Sequence, residues 1–245
     1  EGPAEDFGNR EKIAPLLRFA STHTGEPTQN VSLDDYVARM KEGQEKIYFL
    51  TSDSHQAAKA SPHLEIFRKK GIEVLLLSDR IDEWMMGYLS EYEGKHLQDI
   101  SRGELDLDEV ESEEEKKEQE QASEEHKDLV ERIQKVLSDR VKEVKVTKRL
   151  TESPACLVVG DYDMGQQMRK IMEAAGQPLP DSKPIFEINV DHPLLQRLEK
   201  EQGEERFSDL TQVIFDQATL ASGQEIEDPG TYVSRLNRLL LELAE

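Results

Sequence analysis

KIYFLTSDSHQAAKASPHLEIFRKKGIEVLLLSDRIDEWMMGYL, residues Lys46–Leu89, reads as strand, helix, strand, helix. Lys46–Ser52 alternates and then runs apolar, and Ile72–Ser78 is a Val/Leu run bounded by Gly71 and Asp79. The segment between them has Pro62 early and Leu64, Ile66 and Phe67 as apolar positions. Two apolar strands joined by a helical crossover predict a right-handed βαβ unit with a buried parallel pair. The second strand runs directly into Trp84-Met85-Met86, which holds the only Trp of the chain, inside an acidic helical segment.

Working outward, the first half reads as helix 9–23, helix 32–41, strand 46–52, helix 54–70, strand 72–78, helix 80–92 and strand 95–100, an α/β layer. Ser32, with Asp35 three residues on, is a plausible N-cap, and Pro62 suits a first helical turn. Acids dominate from Arg102 to Glu125, a solvated joint running into the exposed start of a helix. From Leu129 the positions Leu129, Ile133, Val136 and Leu137 give an amphipathic helix ending near Arg140. Short strands at 142–148, 155–159 and 184–189, a helix at 163–175 and helices at 193–201, 207–221 and 229–243 make the second half α+β. The expected division is 1–105, an acidic joint at 106–126, and 127–245.

The 245 residues carry a formal charge of −21, which speaks against nucleic acid or an anionic membrane as direct partner, since both require clustered cations. No apolar run approaches the ~20 residues of a membrane span, and no signal-peptide pattern is present. Cys156 is the single cysteine and lies in the apolar run Ala155–Val159, so a buried core thiol and a reducing compartment are expected. The chain starts Glu1-Gly2-Pro3, which suggests a piece of a longer protein.

No enzymatic signature emerges. The six histidines do not form HExxH or a zinc spacing with Cys156, so no metal site is expected. There is no GxSxG, no GxxxxGK[ST] and no GxGxxG. The loop Thr51-Ser52-Asp53-Ser54 lacks the glycines that let a backbone wrap phosphate. Asp79 and Asp82 follow a strand end, where helix capping accounts for them more simply than catalysis.

Two apolar surfaces remain. Met164, Met168, Ile171 and Met172 fall on one helical face, and methionine recurs on surfaces that accept varied partners. The flanks Gly160-Asp161-Tyr162 and Gly176-Gln177-Pro178 leave this helix free to project, although core packing is the ordinary fate of such a stripe. Trp84 with Met85 has the same soft, amphipathic character. The second surface is the C-terminal pair: Phe207, Leu210, Ile214, Ala218 and Ala221 on one helix, and Tyr232, Leu236, Leu239, Leu240 and Leu243 on the next. It packs either within its own domain or in a four-helix arrangement with a second copy.

EKIAPLLRFASTHT (11–24), VSLDDYVARMKEGQEKIYFLTSDS (31–54), SPHLEIFRKKGIEVLLLSDRIDEWMM (61–86) and RVKEVKVTKRLTESPACLV (140–158), together with the closing helices, resemble the ninety-kilodalton heat-shock chaperone family, and within it the bacterial HtpG branch. The resemblance spans essentially the whole chain. It implies that 1–105 is the later part of a middle domain and the rest a C-terminal dimerisation domain ending in a helical bundle. It implies no catalytic residue and no cofactor in this chain, with ATP and magnesium bound in an N-terminal domain that lies outside it. It further implies homodimerisation through Leu210, Ile214, Ala218, Tyr232, Leu236, Leu239, Leu240 and Leu243, and contact with partly folded client proteins through Trp84, Met85, Met164, Met168, Ile171 and Met172. Other chaperones would be further partners. Gly87 and Met172 depart from the family's pattern, where a polar Asn and an aromatic occur. The ending Leu-Ala-Glu, without an acidic co-chaperone-recruiting tail, points to the bacterial branch. The reading from another class is an α/β nucleotide-binding or enzymatic domain with an oligomerisation tail.

Overall fold

The computed structural model describes residues 2–105, 107, 113–179 and 182–242. The chain is a mixed α/β protein with two sheets among its described residues, and it divides into two compact units. One comprises Glu1–Ser112 with Val159–Ser182, the other Glu113–Val158 with Lys183–Glu245. Residues 159–182, which the composition break groups with the second half, therefore fold with the first.

In the first unit α1 (Gly2–Glu5), α2 (Arg10–Ile13) and β1 (Ala20–Ser21) precede α3 (Leu33–Ala38) and β2 (Lys46–Thr51). Then come α4 (His55–Ala60), α5 (Glu65–Lys70), β3 (Leu75–Leu77), α6 (Asp82–Met86), β4 (Glu91–Tyr92) and β5 (Lys95–Asp99). The sheet order is β1-β3-β2-β5-β4. β2 pairs in parallel with β3, with Phe49 opposite Leu75, and with β5, with Ile47 opposite Leu97; the edge strands are antiparallel. The two-residue period of a strand explains why β2 is apolar from Ile47 to Leu50, since both of its faces are covered. Ile47 and Phe49 join Leu75, Leu77, Leu33 and Tyr36 on one face, whereas Tyr48 and Leu50 join Leu76, Leu64 and Phe67 on the other.

Local chemistry fixes the element ends. Ser32 and Asp35 form a full capping box at α3: the Asp35 N–H donates to Ser32 Oγ (3.0 Å) and the Ser32 N–H to Asp35 Oδ2 (3.1 Å). Hydrogen bonds from Ser32 hold the Asp35 carboxyl below its ordinary value. The buried Tyr36 hydroxyl donates to the Glu73 carbonyl (2.7 Å) and accepts from the Tyr48 N–H (3.0 Å), tying α3 to the sheet. Burial pushes that phenol strongly upward.

Three helical expectations are corrected. The helix expected at 54–70 is cut into α4, a 3₁₀ turn at Pro62–Leu64, and α5, because the residue before a proline is driven to extended backbone: Ser61 has φ −65°, ψ 134°. The expected helix 9–23 is two short turns and β1. Pro15 removes a donor there, and Ala20 and Ser21 gain partners on β3. The expected helix 80–92 stops at Met86, and Glu91–Tyr92 pairs antiparallel with β5.

The second unit opens with α7 (Glu113–Glu125) and α8 (Lys127–Val136), followed by β6 (Glu143–Val146), β7 (Ala155–Val158) and β8 (Ile185–Ile188). Its sheet order is β6-β8-β7, with β8 parallel to β6 and antiparallel to β7. Leu129 and Ile133 of α8 pack with Val144, Leu157, Phe186 and Ile188 on one face. α10 (Pro193–Glu199), α11 (Glu204–Ala221) and α12 (Pro229–Glu242) complete the unit. Leu150, Val158 and Ile185 enclose Cys156 on the other face, so the thiol is a core residue, 1% exposed.

Candidate functional site

α6 leaves the sheet directly after β3, and its first residue is a buried acid. Asp82 Oδ2 accepts the Asp79 N–H at 2.8 Å, closing the turn between strand and helix. Burial pushes the Asp82 carboxyl up to about 6, against the pull of backbone N–H groups at Asp79 and Ser78. Asp82 thus organises the turn rather than capping α6 with its side chain. Helical geometry then sends consecutive residues different ways. Met85 (5% exposed) and Met86 enter the core with Phe49, Leu75 and Leu77. Met85 is therefore not available at the surface, contrary to expectation. Trp84 stays half-buried, edge-on to Tyr88 with ring centres 5.3 Å apart.

The methionine helix is α9 (Gln166–Ala174), and it does not project. It docks on the first unit through its polar side. Gln167, its one buried side chain, donates from Nε2 to the Ser52 carbonyl at the end of β2 (2.8 Å). Lys170 pairs with Asp53. Glu83 Oε2 accepts the Met168 N–H (3.0 Å), one of the donors that the first turn of a helix leaves unpaired. Its other oxygen, Oε1, binds Arg102 Nη2 (2.9 Å). Arg102 also donates to the Asp163 carbonyl (2.6 Å) and lies 3.4 Å from Asp99 Oδ2. Gly165 permits this approach: a Cβ there would lie 2.3 Å from both Glu83 Oε1 and Arg102 Nη2. With Gln167 inward, Ile171 is 43% exposed while Met164, Met168 and Met172 are half-buried.

The C-terminal helices differ from one another. Ile214 and Ala218 of α11 are buried in their own core with Phe207 and Phe215, and Leu210 packs against it half-buried. These three were expected at a dimer interface; the single chain already covers the first two because α11 lies across β7. α12 inverts the ordinary arrangement. Arg235 reaches Asp209 Oδ1 (3.1 Å) and Asp216 Oδ2 (3.8 Å), Arg238 pairs with Asp209, and Arg140 Nη2 donates to Asp216 Oδ1 (2.7 Å). Among the described leucines of α12 only Leu239 is buried, so the chain itself covers this residue, which was also expected at the dimer interface; Leu240 is 54% exposed and Leu241 69%, with Tyr232 and Leu236 half-buried. Leu243 lies outside the described residues.

Sequence reasoning missed Val233 on α12 and Leu220 near the end of α11, both about half exposed. It also missed Glu83, Arg102, Gly165 and Gln167. One signal was present: Arg102 is the only cation between Asp99 and Glu115, so it has acids on every side in sequence. Among the described residues no group of three or more His, Cys, Asp or Glu side chains is placed to hold a metal ion. No described helix is long and apolar enough to cross a membrane.

A family model described as Hsp90 protein matches residues 1–244, and the chain belongs to that family of stress-response chaperones, whose members are weak ATPases.

Proposed function

We propose that this chain is the later middle domain and the C-terminal domain of a cytoplasmic, bacterial HtpG-type chaperone. It self-associates through the outer face of α12 and offers α9 and Trp84 to partly folded clients. The observation that carries the reading is the orientation of α12. Its arginines face its own unit, and Val233, Leu236, Leu240 and Leu241 are left at least partly exposed. A second copy supplies the same face, and two such helix pairs make a four-helix seam. ATP turnover belongs to residues outside this chain. Consistent with that, the loop after β2 is glycine-free, and its Ser52 carbonyl and Asp53 carboxylate are engaged by α9.

The client contacts are Trp84, Met164, Met168, Ile171 and Met172; the interface is Tyr232, Val233, Leu236, Leu240 and Leu241 with Leu220. Sedimentation equilibrium over a concentration series, on this chain and on Leu236→Asp/Leu240→Asp, tests the interface. Two carboxylates buried in an apolar seam cost several kcal/mol, so the variant's dimer should dissociate roughly 10³-fold more readily and leave a folded monomer. A wild-type chain that stays monomeric at every concentration sinks the proposal.

A further inference from the structure

α9 is held by charge and hydrogen bonding where an amphipathic helix usually relies on its apolar stripe. Gln167 and Lys170 fix its polar side on Ser52 and Asp53, and two backbone contacts at its start converge on one pair. Glu83 shares its two oxygens between the Met168 N–H and Arg102, and Arg102 in turn grips the Asp163 carbonyl at the entry to the helix. The Glu83 and Arg102 side chains are 11% and 24% exposed, and Asp99, which steadies the guanidinium, is 7% exposed. Partial desolvation makes such charge-assisted bonds stronger than exposed ones. Lys170–Asp53 is the contrast, with both side chains about half exposed, where salt screens the attraction. Glu83 precedes Trp84 in the chain, so one helix, α6, both clamps α9 and carries the tryptophan.

We infer that Glu83 and Arg102 are positioning residues: they clamp the methionine helix onto α6, and thereby present its stripe and Trp84 as one surface. The presentation half rests on the client-surface reading above, whereas the clamp itself does not. The guanidinium geometry matters, because one group must reach Glu83, Asp99 and the Asp163 carbonyl from a fixed fork, and a lysine ammonium cannot. Gly165 belongs to the same device, since it leaves room for the pair to sit against the start of α9.

Two routes break the clamp without touching either core. Glu83→Ala removes the shared carboxylate, and Gly165→Val places carbon where the pair sits. Amide hydrogen exchange of α9 is the first readout. Both variants should exchange at least about tenfold faster than wild type over Gln166–Ala174, Arg102→Lys should also exchange faster than wild type, and Lys170→Ala should shift rates less than about threefold. Exchange in β2 and β3 should not change. The second readout is capture of reduced, carboxymethylated lactalbumin by a photoreactive group at Ile171, which should fall several-fold in both variants while self-association is unchanged. Unaltered exchange of α9 in both variants overturns the clamp. Faster exchange with undiminished capture overturns its presentation role. A wild-type chain that captures nothing ends the client reading, and the exchange data still decide the clamp.

Discussion

α11 and α12 are consecutive amphipathic helices in one unit, yet they bury opposite kinds of side chain. α11 puts Phe207, Ile214, Phe215 and Ala218 into the core, and α12 docks with Arg235 and Arg238 while much of its apolar face stays in solvent. The cause lies on α11. It carries Asp209 and Asp216, 8% and 2% exposed, on the side that α12 approaches. A buried carboxylate needs a partner. Arg140 supplies one for Asp216, with its guanidinium also stacked 4.2 Å above the Phe215 ring, and α12 supplies the rest. The two acids thus decide which way α12 turns. An apolar stripe states that a helix has a face to cover and does not say what covers it.

The largest effect that should separate the two helices is on folding. Ile214→Ala should cost about 3 kcal/mol in urea denaturation, from lost transfer energy and the cavity left behind. Leu240→Ala, at a half-exposed site, should cost less than about 0.5 kcal/mol to the monomer. Equal losses would mean that α12 buries its leucines internally. Next in size is Arg235→Ala, which leaves Asp209 and Asp216 with fewer partners and should cost about 2 kcal/mol. Hydrogen exchange should show the loss in α12 before it shows in α8 or the sheet; uniform loss would remove the orienting role from the acids.

Asp82 sharpens the comparison by contrast, because backbone N–H groups rather than a guanidinium hold it. Its folded value of about 6 lies above the ordinary 3.8. The folded state therefore binds that proton more tightly, and the stability it contributes is complete below about 4 and lost as pH rises through about 6. Urea midpoints followed by Trp84 fluorescence should rise from pH 7 to pH 5 more in wild type than in Asp82→Asn, by on the order of 1 kcal/mol. A parallel pH response of the two proteins would show that the Asp82 carboxyl is not perturbed in the folded state.

Much of the scaffold was legible because its causes are local. The alternation in Lys46–Ser52 and the apolar run after Gly71 gave β2 and β3, and their parallel pairing followed from the helical crossover. Ser32 and Asp35 gave the start of α3 through a bond three residues long. The misses share a physical reason. β1 and β4 are two-residue strands whose only periodicity is supplied by partners dozens of residues away or across a turn. Ser61 was readable from Pro62, and the helix pattern on either side concealed it.

For the candidate site, sequence alone determined that Met168, Ile171 and Met172 share a helical face, whereas Met164, expected with them, precedes the helix; it also determined that the last helix is leucine-rich on one side and that Cys156 is a core thiol. Spacing along a chain of 3.6 residues per turn is enough for the first two, and an apolar run for the third. Only the tertiary structure decided that Met85 turns inward while Trp84 stays half-exposed, that Gln167 faces the body of the first unit, and that α12 docks by its arginines. Each of those outcomes depends on where buried charges and unpaired backbone groups lie on a neighbouring element. That is information no single helix carries in its own sequence.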